Sequence, residues 1–293
     1  MEIIQSIEKL REKLWEHRKS DKSIGFVPTM GYLHEGHLNL IRQARKDNDI
    51  VVVSIFVNPT QFGENEDYSQ YPRDLERDAE LCENEGVDYI FAPTVEEMYP
   101  DGNPLVYVDV LKLSDHLCGR FRPGHFRGVL TIVAKLFNIV MPTKAYFGKK
   151  DIQQLRIIEQ MVKDLNFPIT IIPVDTTREE DGLAMSSRNT YLSPEERAAA
   201  PGIYKALTKG LELIKMGERD ATVVVESVLS DLEKIPGARP QYVELVDWEN
   251  LAPVKILEKG STYVLATAVF LGPARLIDNI RFTIGKDGDV RVG

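Results

Sequence analysis

Two rhythms of apolar residues alternate through the first half of the chain. Ile7, Leu10 and Leu14 recur at helical spacing and predict a helix near 5–19. Ile24–Val27 is a short apolar run ended by Pro28 and reads as a strand. Leu38, Ile41 and Ala44 restore the helical interval within 37–48, and the β-branched run centred on Val51–Val53 predicts a strand over 49–57, buried on both faces. An amphipathic helix over 73–85 stops at Gly86, and Val87–Phe91 is the next strand. A helix near 127–141, a strand near 144–147, a helix near 151–166 and a strand near 169–173 extend the series. This alternation predicts an α/β fold: a parallel sheet with helical crossovers, whose ligands lie beyond the carboxyl ends of the strands.

Beyond about residue 176 the pattern changes. Ser193-Pro-Glu-Glu196 is a capping box with proline at the first helical position, and it opens a helix predicted over roughly 194–216. A second helix follows near 220–234, then strands over 241–247 and 261–271. The expected organisation is therefore a domain over 1–176 and a smaller α+β domain over 177–293. The longest apolar stretch, Gly128–Met141, is interrupted by Lys135 and Asn138 and is too short to cross a bilayer.

Charge narrows the choice of partner. Lys plus Arg total 36 against 45 Asp plus Glu, a net charge of −9, which disfavours nucleic acid and anionic membrane surfaces. Cys82 and Cys118 form no CxxC pair and read as reduced thiols. The opening MEIIQSIEKL has no basic region followed by an apolar run, so no signal peptide is expected and the expected location is cytoplasmic.

Five segments at strand ends or at the domain junction could carry chemistry. Pro28–His37 joins a strand to a helix. Gly31 permits a tight turn, Gly36 a close approach, and His34 and His37 could face one phosphate chain at a helix N-terminus. Taken alone, such a pair is more often structural or incidental; an HxxH pair could also bind zinc, although zinc requires further ligands. Asn58 and Gln61 follow the most buried strand and suit hydroxyl and carboxylate oxygens; a polar turn is the plainer reading. Arg120, Arg122, His125 and Arg127 form a basic cluster or a solvated loop. In the fourth segment Gly148 permits close approach and Lys150 can neutralise phosphate. Asp151 could cap the next helix, with Gln154 one turn further on. In the fifth, Ser186, Ser187 and Arg188 form a phosphate clamp or a plain loop.

Together, PTMGYLHEGH (28–37), VVSIFVNPTQF (52–62), RPGHFRGV (122–129), FGKKD-x-QQ (147–154), DGLAMSSRN (181–189) and ARLIDN (274–279) resemble the pantoate–β-alanine ligase family over nearly the whole chain. The resemblance implies a Rossmann-like parallel sheet with an HxGH nucleotide site at His34–His37 and a smaller C-terminal domain closing over ATP. It implies ATP binding by Met30, Gly31, Tyr32, Leu33, His34, Glu35, Gly36 and His37. It adds Gly148, Lys149, Lys150, Asp151, the backbone of Thr177, and Met185, Ser186, Ser187 and Arg188. His37, His34, Lys150 and Arg188 are the implied catalytic groups. Gln61 and Gln154 are the implied pantoate groups, with Asn58, Arg122 and His125 near the acid substrates. It further implies Mg²⁺ arriving with ATP without a dedicated protein ligand set, a homodimer, and condensation of pantoate with β-alanine through an adenylate. The competing readings are a nucleotidyltransferase that stops after one transfer, a non-catalytic nucleotide-binding regulator, and a tRNA synthetase. The last is disfavoured by acidity and by the lack of length for an anticodon-binding domain.

Overall fold

The computed structural model describes residues 1–64 and 66–293. It begins with β1 (Glu2–Ile4), α1 (Ile7–Lys19), β2 (Ile24–Thr29), α2 (Glu35–Asp47) and β3 (Ile50–Ile55). There follow α3 (Leu75–Asn84), β4 (Tyr89–Phe91), α4 (Val95–Met98), α5 (Leu117–Phe121), α6 (His125–Val140), β5 (Lys144–Gly148), α7 (Ile152–Asp164) and β6 (Thr170–Val174). The remainder is α8 (Pro194–Ala199), α9 (Gly202–Lys215), α10 (Ala221–Glu233), β7 (Ala238–Asp247), β8 (Thr262–Leu271), β9 (Ala274–Ile284) and β10 (Val290–Val292).

The chain divides into two compact units. The first comprises Met1–Val110, Arg122–Lys149 and Ile157–Asp175. Its sheet runs β1-β4-β3-β2-β5-β6, parallel throughout. β2 is the switch point: the chain steps outward through β3 and β4 on one side and through β5 and β6 on the other, which opens a crevice at the carboxyl ends. α2 packs against β2, β3 and β5, while α6 packs against β2 and α1. With both faces covered, β3 is apolar at every position but Ser54, and all but Ile55 are buried. β2 continues through Pro28 to Thr29, two residues past the expected end. The β2–β5 ladder stops at Phe26↔Ala145, so the proline lies where β2 has only β3 as a neighbour.

The second unit comprises Leu111–Phe121, Lys150–Arg156 and Thr176–Gly293. Its sheet is antiparallel, in the order β10-β9-β8-β7. α9 buries Ile203, Leu207, Leu211 and Ile214 along one stripe against α10, β8 and β9. The single helix expected over 194–216 is two helices, α8 and α9, parted at Ala200–Pro201. Proline has no N–H to return to residue 197, and its ring crowds that carbonyl. Lys150, Asp151 and Gln154 belong to this unit for visible reasons. Asn279 Nδ2 donates to the Lys150 carbonyl at 2.8 Å, buried Gln153 donates to the Leu113 and His116 carbonyls at 2.8 Å each, and Arg156 donates to Glu249 O at 2.7 Å.

Leu265 is fully buried in β8 among the packed side chains of α9 and α10. Leu265→Ala should cost about 2–5 kcal/mol, seen as a lower urea midpoint; an unchanged midpoint would mean that the site collapses without loss.

Candidate active site

At the carboxyl end of β2 the chain reverses into α2 within five residues, and the N–H groups of Gly31, Tyr32, Leu33 and His34 each have a side-chain partner. Thr29 Oγ1 donates to the Ser54 carbonyl at 2.7 Å and accepts from Gly31 N–H at 3.1 Å. Gly31 has φ +80° and Tyr32 φ 50°. A Cβ on Gly31 would lie 2.8 Å from Ile55 Cγ2 and 3.0 Å from Asp78 Oδ2, so both conformation and space demand glycine. The N–H groups of Tyr32 and Leu33 donate to the two oxygens of Asp78, each at 2.7 Å. Arg77 donates to the Leu33 carbonyl at 2.9 Å and lies over the Tyr32 ring. Asp78 is 1% exposed; burial pushes its carboxyl above the usual range, while the Leu33 and Tyr32 N–H groups pull it down.

His34 is the N-cap of α2. Its Nδ1 accepts from Gly36 N–H at 3.1 Å, and His37 Nδ1 accepts from His34 N–H at 3.3 Å, a capping box built from two histidines. The ring centroids are 4.1 Å apart. A neutral imidazole whose Nδ1 accepts carries its proton on Nε2. The turn therefore carries two Nε2–H groups at the positive end of the α2 dipole, a combination suited to phosphate.

The turn after β3 sits in the same unit. Asn58 is buried and its amide is committed inward: Nδ2 donates to Gln61 Oε1 at 3.1 Å and to the Gly128 carbonyl at 3.2 Å, while Oδ1 accepts from Tyr99 at 2.8 Å and Thr60 at 3.0 Å. Gln61 Nε2 reaches Met30 Sδ at 3.1 Å, which brings the first two sequence segments together. Gly128 lets α6 touch this turn, since a Cβ there would fall 2.3 Å from the Thr60 carbonyl oxygen. Arg122 joins the cluster through Glu66, with Nε to Oε1 at 2.7 Å. Burial would raise the Glu66 carboxyl, but Arg122 outweighs it and holds the group below its usual range. Arg122 Nη1 lies 3.0 Å from His125 Nε2; arginine can only donate, so His125 accepts there and its Nδ1–H donates to the Gln61 carbonyl at 2.9 Å. Of the remaining first-unit residues, Gly148 ends β5 and Lys149 follows it, with its Nζ paired to Asp175 at 2.6 Å.

The second unit holds the other candidates. Thr177 O accepts from Met185 N–H at 3.0 Å and closes a hairpin. Ser186 then caps a short 3₁₀ turn over Ser187–Tyr191 by accepting from Arg188 N–H at 3.3 Å. Lys150 lines a small cavity with Ala184, Ser186, Asn189 and Asp278. Burial lowers the Lys150 ammonium below the usual lysine range; Asp151 opposes this, and Arg188 adds to it. Asp151 is exposed, and Gln154 is half-buried beside the fully engaged Gln153. Among the described residues no group of three or more His, Cys, Asp or Glu side chains could hold a metal ion, and no helix is long and apolar enough to cross a membrane.

Asp78, Glu66 and Gly128 were not singled out from the sequence. Asp78 did carry a signal: it falls four residues before buried Cys82, on the apolar face of an amphipathic helix, where an ionised side chain needs a partner.

A family model described as pantoate-beta-alanine ligase matches residues 2–281. The pantothenate synthetase of Coprothermobacter proteolyticus is 58% identical over 282 residues, covering 96% of this chain and 98% of that protein. That of Aquifex aeolicus is 58% identical over 278 residues, covering 94% and 97%. Among solved structures, pantothenate synthetase from Thermus thermophilus superposes with a TM-score of 0.88 at 47% identity, covering 95% of this chain and 98% of that one. Pantoate-beta-alanine ligase from Francisella tularensis, complexed with beta-gamma ATP and beta-alanine, gives 0.76 at 36% identity, covering 95% and 97%. Fold and similarity together define a ligase, an enzyme that joins two substrates. The chain belongs to the pantoate–β-alanine ligase family.

Asp78→Ala leaves two turn N–H groups without acceptors and should destabilise by at least about 1–3 kcal/mol. Asp78→Asn keeps one acceptor and should lose less. Equal losses in chemical denaturation would mean that a single remaining acceptor holds the turn no better than none.

Proposed function

We propose that the chain condenses pantoate with β-alanine to pantothenate in two steps on one ATP. A pantoate carboxylate oxygen attacks the α-phosphorus, the bond from that phosphorus to the bridging oxygen breaks, and pyrophosphate leaves. The neutral amine of β-alanine then attacks the acyl carbon of pantoyl adenylate. The carbon–oxygen bond breaks, AMP leaves, and the amine proton passes to solvent.

The observation that carries this reading is the two-histidine capping box at the carboxyl end of β2. It supplies donors, a helix N-terminus and no nucleophile, which is what attack on a phosphate chain by a substrate's own oxygen requires. The bound ATP and β-alanine of the Francisella relative support the same substrates here. In this reading His34 and His37 meet developing phosphate charge, and Met30–Leu33, Glu35, Gly36, Gly148 and Lys149 line the nucleotide. Lys150, Asp151, Thr177 and Met185–Arg188 are assigned to the same ATP by the family resemblance. Gln61 and Gln154 recognise pantoate. Arg122 and His125 act on the acid substrates by shaping the Gln61 turn as well as by contact, and Asn58 acts on them by holding that turn in place. Mg²⁺ enters with ATP, held by phosphate oxygens.

Alanine at His34 or His37 should slow single-turnover adenylate formation by about 100-fold or more, the scale of a lost transition-state donor, while the chain stays folded by circular dichroism. Near-normal adenylation in both variants sinks the assignment.

The route itself is read by isotope. Pantoate labelled with ¹⁸O in its carboxylate, incubated with ATP, Mg²⁺ and β-alanine, should deliver one label to AMP in each turnover. Label in inorganic phosphate would mean an acyl-phosphate route with ADP as product.

A further inference from the structure

The segment Ala274–Asn279 is the one motif of the sequence with no part in the function argued so far. It opens β9, and its last two side chains lead to segments assigned to the nucleotide. Asp278 is 4% exposed. Its carboxylate accepts both arms of Arg178, at 2.7 and 2.9 Å. Arg178 also donates to the Gly182 carbonyl at 3.2 Å and lies 3.5 Å from the Tyr204 ring centroid. A β-bridge between Arg178 and Ala184 closes the hairpin that delivers Met185–Arg188. Asn279 Nδ2 donates to the Lys150 carbonyl at 2.8 Å, and Asn279 N–H donates to Asp278 Oδ1 at 2.8 Å, locking the two neighbours together. The cavity at this point is bounded by Lys150, Ser186 and Asp278 itself.

A buried ion pair adds little stability over apolar packing. What distinguishes this one is that its partners belong to the hairpin leading into Met185–Arg188, while the adjacent amide holds Lys150. We propose that Asp278 and Asn279 are positioning residues of the nucleotide site, fixing the spacing between the Lys150 backbone and the Met185–Arg188 turn. The proposal rests on the reading that these two segments meet ATP.

Asn279→Ala removes one donor from one carbonyl and strands no charge. It should raise KM for ATP roughly 3- to 10-fold in a pyrophosphate-release assay, the scale of one net hydrogen bond, with KM for pantoate changed by less than about twofold. Arg178→Lys keeps the charge but loses the two-armed geometry, and should show the same selective rise, which provides a second test should Asn279→Ala fold poorly. Lys150→Ala is measured alongside as the control for the underlying reading. If it weakens ATP use while Asn279→Ala and Arg178→Lys leave KM for ATP unchanged, the inference falls and the reading of the site stands. If Lys150→Ala leaves ATP use intact, that reading of Lys150 falls and takes the inference with it. Equal rises in KM for ATP and pantoate, tracking a lower melting temperature, would show a purely structural role and overturn the proposal.

Discussion

A tight turn between a buried strand and a helix leaves backbone N–H groups in a place water cannot reach, and each must find an acceptor. Asp78 meets that demand for Tyr32 and Leu33. The arrangement at the end of β2 follows from it. Gly31 and Tyr32 sit at positive φ because the carboxylate holds the next two N–H groups in place, so that His34 arrives as the N-cap of α2 with its ring against the first turn. A carboxylate serves better than an amide here, since both of its oxygens accept. The cost is an ionised group in the interior, offset by the two short hydrogen bonds and by Arg77 nearby.

The same principle organises the turn after β3. Glu66, Arg122, His125 and the Gln61 carbonyl form a continuous chain of donors and acceptors, and Asn58 fastens the turn to α6. These polar groups hold backbone in place as much as they offer atoms to a ligand. The charge environment of the second unit differs. Lys150 is pressed toward neutrality by burial and by Arg188, with Asp151 and Asp278 acting against that. An anionic ligand beside Lys150 would favour the ammonium and oppose the effect of burial, so binding and protonation are linked there.

The parallel sheet was legible because burial on both faces imposes a continuous apolar run, as in Val51–Val53, and because Gly86 marks where α3 must stop. The candidate loops were legible because strand ends are where such sheets bind ligands. Other features were not. The break at Pro201 was hidden inside a strong helical period, although the proline itself announces it. Asp78 and Glu66 act on residues 45 and 56 positions away, and no local pattern encodes such a pairing. The inward turn of the Asn58 amide depends on Tyr99 and Gly128, which only the fold brings near. β9 went unread, yet it carries the two side chains that reach the Arg178 hairpin and Lys150.

The histidine capping box has a consequence for how the two rings are aimed. In each, Nδ1 is turned toward a backbone N–H of the same turn, so the main chain at the start of α2 takes part in setting both ring planes. Ring direction and the start of the helix form one geometric unit, and a displacement of the first turn of α2 would swing both imidazoles with it.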